Sequence, residues 1–168
     1  IDSIKCCIVR DERVYKMPKE KKDAMLSAYT WLTDAIKKLK KSGKIKNYNN
    51  SLQGKIHNKK DEISWEMVKK IYKNNSYLSP CHASSLFGVI TADGKVYPCE
   101  ILEDKLVGDL RENDFDFLKV WNSEKNKDIK NFISKTNCTC TYECAISFNI
   151  LGNWRYQHKL LMGLLTKY

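Results

Sequence analysis

No apolar run in this 168-residue chain approaches bilayer-spanning length, and its first residues do not resemble a secretory signal. It has no Ser-His-Asp constellation, no glycine-rich loop to cradle phosphate, no zinc-hydrolase helix motif and no internal repeat. The common hydrolase and nucleotide-binding chemistries therefore have no residues to run on. There is also no Cys-x2-Cys knuckle of the kind that builds zinc ribbons. The net charge is +10, but the lysine-rich stretches at 37–46 and 55–60 lack the regular aromatic interleaving that stacks bases. Solvated helix faces and loops explain that excess better than nucleic-acid binding.

What the chain does have is thiols. Of its seven cysteines, five form one arrangement: Cys81, Cys99, Cys138, Cys140 and Cys144. The segment CHASSLFGVITADGKVYPC reads as a β-hairpin, because apolar and β-branched residues flank Asp93-Gly94, a turn dipeptide. Cys81 and Cys99 then lie near the open end of that hairpin. The run CTCTYEC is too tight for three separate structural roles and suits a loop entering a helix. Without a secretory signal, clustered thiols in a Lys-rich chain favour metal over disulfides and point to the cytoplasm. Four cysteinates could hold zinc tetrahedrally; an iron–sulfur cluster tolerates the irregular spacing, since each iron needs one protein thiolate. Spacing alone leaves both open. Five thiols favour a closed site with one to spare, and Cys138 is the expected spare because Cys140 and Cys144 flank the helix entry.

The remaining pattern is that of an α+β chain long enough, with 42% hydrophobic residues, for a real core. Residues 1–10 read as a strand in mid-fold, and the first residue is Ile, as expected of a fragment or processed product. Pro18 opens a helix to about residue 42, stopped by Gly43, with Leu26, Tyr29, Leu32, Ile36 and Leu39 as its buried stripe. The following polar run has no sustained period and reads as a connector, ending in a short helix over 64–73 capped by Ser64. After the hairpin come a short strand ending at a Gly108 turn and two short amphipathic helices split near Asn122-Ser123. Phe117, Val120 and Trp121 face Ile129, Phe132 and Ile133, with Trp121 a core anchor. A last helix follows Cys144, loosened at Gly152. His82, Lys95, Tyr97 and Arg155 could hydrogen-bond cluster sulfur or substrate, yet each is equally at home on a surface.

These elements resemble a known family. Cys81, twelve residues, Gly94, four residues, Cys99 is similar to the opening signature of SPASM and twitch domains, the auxiliary-cluster modules behind the barrel of many radical S-adenosylmethionine enzymes. VGDLREND followed by VWNS resembles their linking stretch, and CTCTYECAISFNIL a variant closing motif. CCIVRDERVYKMPKEKKDAMLSAYTWL looks like the junction from the last barrel strand, which would make Arg10 a barrel residue and leave Cys6 and Cys7 as buried bystanders. The resemblance implies three regions: a barrel remnant over 1–45, a connector with a short helix over 46–76, and an auxiliary cluster domain with a C-terminal helix over 77–168. It also implies one auxiliary 4Fe-4S cluster held by Cys81, Cys99 and the closing cysteines. The complete enzyme would add S-adenosylmethionine and a second 4Fe-4S cluster, and would modify a peptide or small-molecule substrate, with an electron donor as a further partner. The Cys-x3-Cys-x2-Cys loop needed to cleave S-adenosylmethionine is absent from these residues, so they supply no catalytic group of their own. The competing expectation is a non-catalytic zinc-binding interaction module with a basic face.

Overall fold

A computed structural model describes residues 3–8, 17–46 and 51–165. The elements, in chain order, are α1 (Lys19–Lys41), α2 (Leu52–Asn74), β1 (Val89–Ile90), β2 (Lys95–Tyr97), β3 (Gly108–Asp109), α3 (Phe117–Trp121), α4 (Glu124–Lys135), α5 (Glu143–Gly152) and α6 (Trp154–Leu164). Six α-helices and one small antiparallel sheet make the α+β class expected from the pattern. Residues 3–8 take no strand conformation, since an extended segment becomes a strand only where a neighbour completes its ladder. They are instead held by side chains: Ile8 is buried, and Ile4 and Cys6 pack beside it. Arg10 lies outside the described residues.

Helix α1 follows Pro18, whose missing N–H costs nothing at a helix start, and ends where Gly43 takes a φ of +70°. Its buried stripe is Tyr29, Thr33, Ile36 and Lys40, so Leu32, expected inside, faces outward. Spacing of three and four from Tyr29 selects residues 33, 36 and 40, one position round from Leu32. Burial of Lys40 is met by a 2.8 Å ion pair with Asp61. Its ammonium also lies 4.7 Å from the centre of the Trp65 ring.

The largest departure from expectation is α2, a 23-residue helix where a connector and a short helix were read. Its true cap is Ser51, whose hydroxyl accepts from the Gly54 N–H, while Ser64 is buried in mid-helix. The first half hides itself because its inward residues are small or polar, Gly54, Asn58 and Ser64, and give no apolar period. Lysines of this region serve the fold: Lys55 donates to the Leu164 carbonyl at 3.0 Å, and Lys59 pairs with Glu62 at 3.1 Å.

The hairpin forms as read. Val89 faces Tyr97 and Ile90 faces Val96, and the 91–94 turn closes with the Gly94 N–H on the Thr91 carbonyl and Gly94 at φ +82°. Strand β3 starts at Gly108, where an earlier strand was expected to end, and pairs along β2 with Val96 opposite Gly108. A side chain at Gly108 would meet Val120, so the glycine lets α3 close over the sheet. Asp116 and Ser123 cap α3 and α4. The expected single C-terminal helix is two: Asn153, at φ −106° and ψ 116°, leaves helical space and caps α6 by accepting from the Arg155 N–H.

Two cores result. One gathers Ile8, α1, α2, α5 and α6 around Trp65, Val68, Ile146 and Ile150. The other packs Ala83, Val96, Val107, Val120, Ile129 and Ile133, with Trp121 against it as an anchor. Asn126, fully buried, holds the second together by donating to the Trp121 and Ser84 carbonyls and accepting from the Ser84 hydroxyl. Asn126→Ala leaves three buried groups without their partner and is expected to cost about 1–3 kcal/mol. Urea unfolding checks this, with a shifted midpoint as the expected outcome and an unchanged one showing that these bonds carry no net stability.

Candidate metal centre

Each of the five clustered cysteines is delivered to one place by a distinct local device. Cys81 enters a tight loop over 82–87, closed by the Ser84 N–H on the Phe87 carbonyl and the Leu86 N–H on the His82 carbonyl, with Ser84 at φ +65°. Cys99 follows β2 through Pro98. Cys138 is set by a Schellman turn at the end of α4: Asn137 sits at φ +49°, its N–H on Ser134, and the Cys138 N–H reaches back to the Ile133 carbonyl. Cys140 lies in the loop between α4 and α5, and Cys144 in the first turn of α5.

All five line a single cavity of about 360 Å³, with Phe87 and Phe148 among its walls. The two rings stack at 5.0 Å and join the hairpin side to α5. By liquid-water volume this is room for on the order of ten waters, far more than one ion needs. A lone zinc would draw its sulfurs to within ~4 Å of one another, given Zn–S bonds of ~2.3 Å. Among the described residues, no three Cys, His, Asp or Glu side chains converge closely enough to hold a single ion. Cys6 and Cys7 do not line this cavity; they line a neighbouring one that shares Glu100 and Cys144 with it.

The sulfurs are surrounded by donors. Cys81 is held below the ordinary thiol range, first by a hydrogen bond from Cys138, which outweighs its burial, and then by the Ala83 N–H and the Asn149 side chain. Cys138 is pushed up because its proton serves Cys81 and because burial and nearby thiols disfavour a second charge. Burial raises Cys99 against hydrogen bonds from the Leu102 and Ile101 amides. Burial likewise pushes Cys140 up to about 12 against a bond from the Tyr142 amide. Backbone N–H groups aimed at sulfur favour the thiolate and are one of the controls on an iron–sulfur potential.

Asn149 is the site residue that sequence reading missed. It is buried on α5, accepts the His82 N–H at 2.8 Å and donates to Cys81. Its signal was a lone amide in the apolar run AISFNIL. The polar neighbours proposed from sequence lie elsewhere: Lys95 pairs with Asp93 at 2.8 Å on the hairpin tip, and the His82 ring packs against Gly152. His82, Lys95, Tyr97 and Arg155 do not line the thiol cavity.

Comparison with known families agrees with this geometry. Residues 73–145 match the family model of SPASM, described as an iron-sulfur cluster-binding domain. No curated protein and no solved structure matches the chain. The matched span runs from the last turn of α2 to the residue after Cys144, enclosing all five cavity thiols and excluding Cys6 and Cys7. Over this span the chain is similar to SPASM domains, and the chemistry of its donor set, soft sulfur with amide hydrogen bonds, fits an iron–sulfur cluster.

In metal-free protein the bond from Cys138 holds the Cys81 thiol below the ordinary thiol range, whereas burial holds Cys140 above it. Iodoacetamide at pH 7 is therefore expected to alkylate Cys81 well before Cys140. Partial alkylation followed by peptide mass mapping checks the order. Asn149→Leu removes a donor to the Cys81 sulfur and should move the midpoint of its alkylation to higher pH.

Proposed function

We propose that this chain is the C-terminal part of a radical S-adenosylmethionine enzyme and that its cavity holds one auxiliary 4Fe-4S cluster. The observation that carries the reading is the convergence of five cysteines, from three separate stretches of chain, on one cavity inside the span similar to SPASM domains. A cluster bound there would supply electron transfer or a structural centre.

The chain's own residues divide the work. Cys81, Cys99 and Cys140 carry amide donors to their sulfurs and are assigned as ligands. Cys138, fixed by its turn and sharing a proton with Cys81, is assigned as the fourth. Cys144 is exposed and lies on the wall between two cavities, so we assign it as the spare, in place of the Cys138 that spacing suggested. Asn149 fixes the rotamer of Cys81 by bonding its sulfur and the following backbone amide together. Phe87, Phe148 and Ala145 limit water at the sulfurs. Cys6, its thiol pushed up to about 11 by burial and then by Glu143, remains a protonated bystander.

The complete enzyme would act on a peptide or another small molecule and draw electrons from a donor. No nucleic-acid role is proposed, since several of the lysines behind the basic charge are committed to carboxylates or carbonyls of the fold. No helix among the described residues is long and apolar enough to cross a membrane. We assign the protein to the cytoplasm, where clustered thiols stay reduced.

Protein prepared without oxygen and with iron supplied is expected to be brown and to carry about four irons per chain. Cys81→Ala, Cys99→Ala and Cys138→Ala should each lose that iron, while Cys6→Ala, Cys7→Ala and Cys144→Ala retain it. Colourless protein with stoichiometric zinc would favour the interaction module instead. Retention in Cys138→Ala with loss in Cys144→Ala would exchange the roles of those two thiols. With no Cys-x3-Cys-x2-Cys loop in the chain, incubation with S-adenosylmethionine and a strong reductant is expected to yield no 5′-deoxyadenosine. Its appearance above a protein-free control, followed by liquid chromatography, would contradict the division of labour proposed here.

A further inference from the structure

A second cavity of about 270 Å³ lies on the other side of Cys144, between residues 4–7 and helices α2 and α5. We propose that it binds a primary alkylammonium group.

The first observation is a hydroxyl with nothing to bond. Ser64 is 3% exposed, stands in the wall of this cavity, and its Oγ has no hydrogen-bond partner among the described residues. A buried hydroxyl left in this way is costly unless a guest supplies the missing bond. In a helix interior, serine ordinarily bonds back to its own preceding turn, so an Oγ that makes no such bond leaves its hydrogen-bonding capacity unused at this wall.

The second observation is the sign of the charge. In a chain of net charge +10, this wall presents three carboxylates, Asp61, Glu100 and Glu143. Asp61 is already engaged by Lys40 at 2.8 Å and Lys60 at 3.1 Å. Glu100 makes no ion pair among the described residues, and Glu143 stands beside Cys6, whose thiol is pushed up by burial first and by this carboxylate second. Lys5 is the one basic residue in the wall. With Asp61 already neutralised by Lys40 and Lys60, it is the Glu100 and Glu143 carboxylates that favour a cationic guest.

The third is shape. Ile4 and Trp65 give the cavity an apolar side suited to a methylene stem, while Ser64 and the two glutamates give the polar end that an ammonium head requires. None of this depends on metal. Only the further step, that the guest is the substrate's amine held beside the cluster cavity, rests on the function proposed above, because Glu100 and Cys144 line both cavities.

The test uses the full chain and Nα-acetyl-lysine methylamide, titrated by calorimetry and by amide NMR, in metal-free and iron-loaded protein. Saturable binding with shifts at Ser64 and Trp65 is expected in both forms. The Nα-acetyl-norleucine analogue, which lacks the charge, should bind at least about tenfold more weakly, as should the lysine probe to Glu100→Gln and Glu143→Gln. Ser64→Ala should weaken the lysine probe severalfold. Absence of saturation by about 10 mM in wild-type protein, or equal binding of the norleucine analogue, overturns the site. Amine binding that persists in protein unable to hold iron supports the cavity while removing the cluster reading, so the two fail separately.

Discussion

Gathering five thiols around one cavity costs electrostatic free energy that rises as each loses its proton, and the C-terminal half of the chain is organised around that cost. Without metal, the least costly arrangement is one thiolate with protonated neighbours. Cys81 takes the charge, Cys138 supplies the proton between them, and Cys99 and Cys140 are raised. A cationic centre reverses the balance, because each thiolate then gains an attractive partner at the moment it loses its proton. The amides of Ala83, Ile101, Leu102 and Tyr142 already point at sulfur. These donors are provided by loop backbone and need no side chain to be rearranged on binding.

Holding such a site requires that its two halves cannot drift apart, and α5 is the element that prevents it. Ala145, Ile146 and Ile150 bury one side of α5, the latter two in the core built with α1, α2 and α6. From the same helix Phe148 stacks on Phe87 and Asn149 grips the backbone after Cys81. Apolar residues stand on the outer side of α5 as well, Phe148 and Leu151 among them, so ISFNIL shows little amphipathic pattern. Gly152 serves the same contact. A side chain there would strike Leu86 and the His82 ring, so its absence lets the 82–87 loop rest on the end of α5.

The parts legible in the sequence were those fixed by local chemistry. Asp93-Gly94 declares a turn whatever surrounds it, Pro18 and Gly43 mark helix ends, and cysteine spacing singled out the five thiols that line one cavity. What failed to show were features set by tertiary packing. The first half of α2 buries Gly54, Asn58 and Ser64, whose small or polar character carries no helical period. The break at Asn153 looked like a mild loosening at Gly152, because a lone Gly-Asn step between two helical stretches does not by itself declare that the helix ends. Asn149 could be seen only as an oddity until the fold placed Cys81 beneath it. Within the strand expected over residues 1–10, the described residues 3–8 find no neighbouring strand among the described residues, so local β-propensity there goes unused.

Charge was the most misleading summary of this chain, and its distribution explains why. The excess lysines lie largely along helices, where Lys38, Lys40 and Lys41 complement the C-terminal dipole of α1 and Lys40 and Lys60 neutralise Asp61. Basic residues are sparse where the thiols are: among the residues of the thiol cavity there is no Lys or Arg, and Glu100 is the one acidic side chain. This is the arrangement to expect if the cavity is shaped for a centre that brings its own positive charge. A lysine among the sulfurs would stabilise thiolates without metal and compete with the cation that the donor set fits. Net charge therefore describes the outer helices, while the local absence of cations describes the site.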